Sequence, residues 1–240
     1  MSKIFIPATK PEDWKPFLAK PDEHWKTGHS AKALAYCWQE ANGFPESVIN
    51  VFKKSGKELF QNVEMLLGFP EYKVPLPGGK ASSQNDIFII AKGGNNQLIS
   101  ITVEGKVSES FGETVSEWKK DASEGRNTRL KYLFSKLELE ENEQINNVPY
   151  QLLHRTVSAI IEAEKFNAQN ALMLVHSFSQ TDEGFDGYSN FLSLFGVKAE
   201  PDSLVFAKSI KANNSTVSHI DLYFGWVKGN PEYLKIETGD

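Results

Sequence analysis

The chain has 240 residues, 40% hydrophobic, 24% charged and 12% aromatic, with a formal net charge of −5. Such a composition is globular and excludes a disordered or low-complexity chain; the acidic balance excludes a general positive field, so a nucleic acid or anionic membrane needs a local basic patch. Cys37 is the only cysteine, which excludes an internal disulfide and a cysteine-rich zinc site. The start, Met1 to Pro7, lacks the apolar run of a signal peptide. The longest apolar stretches, Ile87 to Ala91 and Ala171 to Val175, fall far short of the ~18 residues of a membrane span. A soluble, cytoplasmic protein with no membrane partner is expected, as a single domain over residues 1–240, since no repeat or flexible linker divides it.

The spacing predicts a first helix from Ser30, read as its N-cap, with Leu34, Trp38 and Ala41 on one face and Gly43 and Pro45 as stops. A second is expected from Glu46 to Lys54, burying Val48, Ile49 and Phe52, and a third over about 57–67, burying Phe60, Val63 and Leu67 and ending at Gly68-Phe69-Pro70. Asp86 to Ala91 then reads as a buried strand, Gly93-Gly94-Asn95-Asn96 as a turn, and Leu98 to Val107 as the returning strand. On that strand Ile99, Ile101, Val103 and Val107 alternate with Ser100, Thr102, Glu104 and Lys106. Short helices over 113–120 and 128–137 precede a long one from Pro149 to Lys165, then a strand from Ala171 to Phe178. A helix over 187–195 leads to a hairpin of Ser203 to Ile210 and Val217 to Val227 around Asn213-Asn214. Its last strand is expected to have one solvated face, with His219, Asp221 and Tyr223 opposite Ile220, Leu222, Phe224 and Trp226. The order implies an α/β layer architecture with a mixed sheet.

The informative segment is Asn85-Asp86, followed by Val103-Glu104-Gly105-Lys106. Two positions apart on a strand, Glu104 and Lys106 share a face, and the hairpin brings Asp86 to the same end of its neighbour. Two carboxylates held close repel, and they stay ionised together at neutral pH only with a cation between them. Mg²⁺ or Mn²⁺ suits the pair, because a hard ion takes one or two carboxylates, waters and a phosphate oxygen. Lys106 beside it can hold or help deprotonate a water, or neutralise charge developing on a phosphate. The same Glu-x-Lys spacing also fits a solvent-facing ion pair of little energetic weight.

The pattern of Asp86, a turn and Glu104-Gly105-Lys106 resembles the P-D…(D/E)-x-K signature of the restriction-endonuclease-like nuclease superfamily, with Asn85 where proline is usual. The resemblance covers residues 30–180 and implies a restriction-endonuclease-like mixed β-sheet flanked by helices, with residues 181–240 as an appended helix and β-hairpin. It implies a metal site on Asp86, Glu104 and the backbone of Gly105, with Lys106 serving the water. Similar nucleases often use a Gln or Arg of a following helix, here the long one after Pro149, to position the lysine or a phosphate, which points to Gln151 and Arg155. They also often add an acid from a preceding helix, for which Glu40 and Glu64 are candidates. The blocks VPLPGGKASSQNDIFIIAKGG and PYQLLHRTVSAIIEAEKFNAQNALMLVHSFS resemble an uncharacterised bacterial protein family, which carries no activity.

Gln151, His154, Arg155, Ser158 and Glu162 form a polar stripe opposite Leu153, Val157 and Ile160, and a solvated helix face explains it equally. His176 reads as a ligand or as a hydrogen-bonded structural residue. From Trp118 to Lys136, Lys119, Lys120, Arg126, Arg129, Lys131 and Lys136 outnumber Asp121 and Glu124, a patch for phosphates or merely a solvated helix. Gly79-Lys80 is no P-loop, because Val74 and Ala81 replace the required glycine and hydroxyl residue. Ser116-Glu117-Trp118-Lys119 and Lys26-Thr27-Gly28 stand in the wrong order for a penicillin-binding site, and His24 and His29 lack partners for zinc. The expectation is a Mg²⁺-dependent nuclease acting on DNA rather than RNA. The alternatives are a non-catalytic module binding nucleic acid or protein, and a small-molecule phosphate hydrolase. Tyr223, Phe224 and Trp226 are expected to form the edge of a homodimer.

Overall fold

The computed structural model describes residues 4, 8–120, 122–213 and 216–237, which leaves Asp121, Asn214 and all but Ile4 of the Met1–Pro7 segment outside the described residues. Its strands are β1 (Glu64–Val74), β2 (Ser83–Lys92), β3 (Leu98–Lys106), β4 (Asn170–Ser177), β5 (Ser203–Lys211) and β6 (His219–Lys228). They form one mixed sheet in the order β1-β2-β3-β4-β6-β5. The three at the β1 end run antiparallel, β4 lies parallel to both β3 and β6, and β5 returns antiparallel to β6. The helices are α1 (Pro21–His24), α2 (Ser30–Ala41), α3 (Glu46–Lys54), α4 (Val115–Lys119), α5 (Glu124–Leu137), α6 (Glu143–Asn146), α7 (Tyr150–Phe166) and α8 (Phe185–Ser193).

The sheet is covered on both faces, as a parallel centre requires. Ile87, Ile89, Ile99, Ile101, Leu172 and Leu174 meet α2 and α3 on one side. Met173, Val175, Leu222, Phe224 and Trp226 meet α5, α7 and α8 on the other. Every residue of β4 is buried. The β2–β3 turn needs its glycines: a β-carbon at Gly94 falls 2.2 Å from the Gln61 carbonyl oxygen, and one at Gly93 falls 2.5 Å from that of Leu59. Among the described residues no helix is long and apolar enough to cross a membrane.

Several expectations change here. The segment over 57–67 is not a helix: a short turn, Glu58–Phe60, gives way to β1. The Gly68-Phe69-Pro70 run that reads as a helix stop lies inside that strand, where Pro70 pairs with Ile87 at the sheet margin. Ser30 is the first helical residue and not the cap; the Glu109 carboxylate accepts its N–H at 3.0 Å and its hydroxyl at 2.7 Å. Ala41 and Ile49 are exposed. The polar edge of β3 does not face water, since Ser100 and Thr102 donate to the carbonyls of Ala159 and Arg155 at 2.7 and 3.0 Å. Strand β6 has no continuous solvated face, because Tyr223 packs on Phe60 and Phe206. It also lies between β4 and β5, so Tyr223, Phe224 and Trp226 are buried inside the protein and offer no edge to a second copy.

Candidate active site

Three acids stand side by side where β1, β2 and β3 reach the same end of the sheet. Pro70 and Tyr72 pair with Ile87 and Asn85, which sets Glu71 opposite Asp86. Ile87 pairs with Val103 as the last step of the β2–β3 ladder, which sets Asp86 beside Glu104. Cross-strand neighbours of this kind lie about 4.5–5.5 Å apart between α-carbons. Past the end of that ladder the Gly105 N–H donates to Asp86 Oδ2 at 2.7 Å, so a carboxylate replaces the missing strand partner. A β-carbon on Gly105 would stand 3.3 Å from both that oxygen and Leu34 Cδ2, crowding the carboxylate. Asn85 donates from Nδ2 to the carbonyls of Tyr72 and Ser83, stitching the two strands beside Glu71. The backbone of Glu71 is left-handed at φ 52°, uncommon for a residue with a β-carbon and a local source of strain.

Glu104 sits among three donors. Its Oε1 accepts from Lys106 Nζ at 3.0 Å and Gln151 Nε2 at 2.7 Å, and its Oε2 accepts from Arg155 Nε at 2.5 Å. Lys106 also donates to Gln151 Oε1 at 3.1 Å and to the Ser110 carbonyl at 3.3 Å. Gln151 and Arg155 are four residues apart on α7, so one face of that helix delivers both. Arg155, Ser158 and Glu162 are buried, so much of the polar stripe on α7 faces protein rather than water. Glu162 accepts from Tyr72 and Lys165, away from the acids.

Burial and then the charge of Glu104 push the Asp86 carboxyl up to about 7, against the pull of Arg155, the Gly105 amide and Lys106. Burial and then Asp86 raise Glu71 well above the carboxylate range, although Gln84 donates to it at 2.7 Å. Burial also opposes ionisation of Glu104, but Arg155 and Lys106 outweigh it and hold that acid below its ordinary value. The site is therefore one ionised carboxylate neutralised by two cations, next to two acids that resist ionising. The cleft above them has a volume of about 280 Å³ and is walled by Leu18, Ala19, His24, His29 and Ala31 from the N-terminal elements.

The structure brings Asp86, Glu104, Gly105, Lys106, Gln151 and Arg155 together in this one cleft. It leaves Glu40 and Glu64 outside. Glu40 accepts from Tyr233 at a separate pocket, and Glu64 pairs with Lys92 at the opposite end of β1. The acid that joins the pair is Glu71, which the sequence reading missed along with its strand. His176 is structural: Trp38 Nε1 donates to its Nδ1 at 3.0 Å, and Ser47 Oγ lies 3.2 Å from its Nε2. Of the basic patch, Arg129 is buried and donates to the carbonyls of Leu76, Pro77, Gly79 and Ala81. Lys119 is paired with Glu141 and Lys136 with Glu164, whereas Lys120, Arg126 and Lys131 are exposed. No group of three His, Cys, Asp or Glu side chains among the described residues forms a ready metal cage.

A family described as a domain of unknown function (DUF6946) matches residues 7–231. No curated protein and no solved structure matches the chain. The matched span takes in the whole sheet and the cleft, and the chain belongs to the DUF6946 family.

Proposed function

We propose that this cleft hydrolyses phosphodiester bonds, in DNA, with the help of Mg²⁺ or Mn²⁺, on a restriction-endonuclease-like sheet. The observation that carries the reading is the row Glu71–Asp86–Glu104 beside Lys106, at the end of the β2–β3 ladder. The donor chemistry fits a hard divalent ion. Asp86 and Glu71 with the Gly105 carbonyl would supply oxygen donors, Glu104 would join by exchanging one of its present partners for the ion, and waters and a phosphate oxygen would complete the shell. The raised acids Asp86 and Glu71 fit it too, since a cation offsets the burial and, after it, the repulsion between acids that together favour their protonated forms. A bound ion supplies Lewis-acid polarisation of the phosphate and a more acidic water.

The residues of the chain do the rest. Lys106, fixed by Glu104, Gln151 and the Ser110 carbonyl, orients the attacking water and offsets the charge that develops on the phosphate. Arg155 keeps Glu104 ionised, and Gln151 bridges Glu104 and Lys106, donating to the first and accepting from the second. Asp86, anchored on the Gly105 amide, points a carboxylate at the same centre.

Purified protein with Mg²⁺ or Mn²⁺ is expected to cut plasmid DNA, and Asp86→Asn to lower the rate by about 100-fold or more while keeping cooperative melting. Equal rates from the two proteins contradict the proposal. A second reading, a non-catalytic binding module, draws on the saturation of Glu104, whose two oxygens already serve Lys106, Gln151 and Arg155. Oligonucleotide binding with no Asp86-dependent cutting selects that reading.

A further inference from the structure

The cleft does not end at Lys106. A second chamber of about 390 Å³ is walled by Lys106, Gln151 and Arg155 on one side and by Trp118, Tyr150 and His154 on the other. A third, of about 370 Å³, shares Trp118, Tyr150 and His154 and adds Lys80, Arg126 and Arg129. The three chambers adjoin through these shared wall residues, in a row from the acids past an aromatic pair to a basic end, and together form a groove.

The aromatic pair is built. Trp118 and Tyr150 stack with centroids 4.1 Å apart and planes 14° from parallel, and both are half-buried. Arg126 lies over the Trp118 ring, 5.1 Å from its centroid, and donates one N–H to the Trp118 carbonyl at 3.1 Å. Its guanidinium is thereby held at the groove with further donors for a phosphate oxygen. Opposite, the loop over 75–82 is clamped by Arg129, which bonds four of its carbonyls, and by the close approach of Gly78 to Gly125. That loop carries Lys80, which is exposed. Beyond the site's own acids, the only acidic residue on the walls of these two chambers is Glu113, among the described residues.

A positive channel with aromatic walls is what single-stranded nucleic acid uses, phosphates tracking the charges and bases the rings. Each chamber stands at the low end of the roughly 300–1,000 Å³ of a small-molecule site, room for about one nucleotide. We infer that a single strand of nucleic acid lies along this groove, with one phosphate at Lys106 and a flanking phosphate at Lys80 and Arg126. The inference rests on the nuclease reading for the first phosphate and on the groove alone for the second.

The test is fluorescence anisotropy with an end-labelled single-stranded DNA of about twelve nucleotides, in EDTA, over a series of salt concentrations. The full chain is compared with the double variant Lys80→Ala/Arg126→Ala. Both side chains are exposed, thermal melting checks the fold, and Arg126→Gln serves as the milder change. The double variant is expected to bind about tenfold more weakly, with a salt slope shallower by about 1.4, two contacts at about 0.7 each. Unchanged affinity and slope overturn the groove, and so does an unlabelled duplex that competes as well as the single strand. Cutting by wild type and Asp86→Asn is read separately. Asp86-dependent cutting with an unchanged double variant removes the groove and keeps the active site. Groove-dependent binding without cutting keeps the groove and removes the active site.

Discussion

Ionising Asp86 costs the folded protein energy that the unfolded chain does not spend, because burial and Glu104 push its carboxyl up to about 7. The unfolded value is about 3.9, so between these two pH values the folded state holds the proton more tightly. Stability from this group therefore falls as pH rises through that window, and the full penalty is present above it. Asp86→Asn keeps the acceptor for the Gly105 amide and removes the charge. In metal-free buffer it is expected to raise unfolding free energy by up to about 4 kcal/mol at pH 8 and by little at pH 4. Urea unfolding at the two pH values measures this, and equal effects at both contradict it. Arg155 works the other way. Arg155→Met leaves the Glu104 charge buried with only Lys106 beside it, and is expected to cost about 3–5 kcal/mol. Pairing it with Glu104→Gln is expected to recover much of that loss, which a double-mutant cycle reads directly.

At the scale of elements, the site is where three strands end beneath one helix. Asp86, Glu104 and Lys106 were legible in the sequence because strand alternation and a hairpin fix which side chains share an end. Gln151 and Arg155 were legible because helical spacing puts them on one face. Glu71 was not, because Gly68 and Pro70 read as punctuation, whereas an edge strand tolerates both. The hydroxyls of Ser100 and Thr102 read as a wet face because periodicity cannot foresee that carbonyls of α7 will accept from them. The inward position of β6 depends on strand order, which local pattern does not encode. The loop over 75–82 offers a check on how α5 supports the groove. Gly78 has φ 84°, and a β-carbon there would meet the Gly125 carbonyl oxygen at 2.1 Å. Gly78→Ala is expected to cost about 2 kcal/mol or more in thermal unfolding, through backbone strain and the displaced α5 terminus. A loss within about 0.5 kcal/mol contradicts that contact.

Across the whole molecule, two histidines, His176 buried and His154 half-buried, oppose the acids. Burial holds His176 at about 3, and burial followed by Arg155 and Arg129 holds His154 well below its ordinary value. Both stay neutral in the fold while the unfolded chain takes up protons below about 6.5, so their contribution is lost as pH falls. Each such group changes stability by at most about 1.4 kcal/mol per pH unit. Asp86 and Glu71 slope the opposite way, so without metal the stability curve between about pH 4 and 7 is shallow. On the proposed function, Mg²⁺ would take the place of the protons on the acids and leave the histidine slope exposed. Melting with and without Mg²⁺ at pH 5 and 7.5 is expected to show stabilisation chiefly at the higher pH, and equal shifts at both contradict it. The claim on which all of this turns is that Glu71, Asp86 and Glu104 together hold one divalent cation. Calorimetric titration of Mn²⁺ into the full chain and into Asp86→Asn at pH 7.5 tests it most directly. The account predicts one site in the wild type, with affinity at least about tenfold weaker in the variant; no binding to the wild type, or equal binding to both, contradicts it.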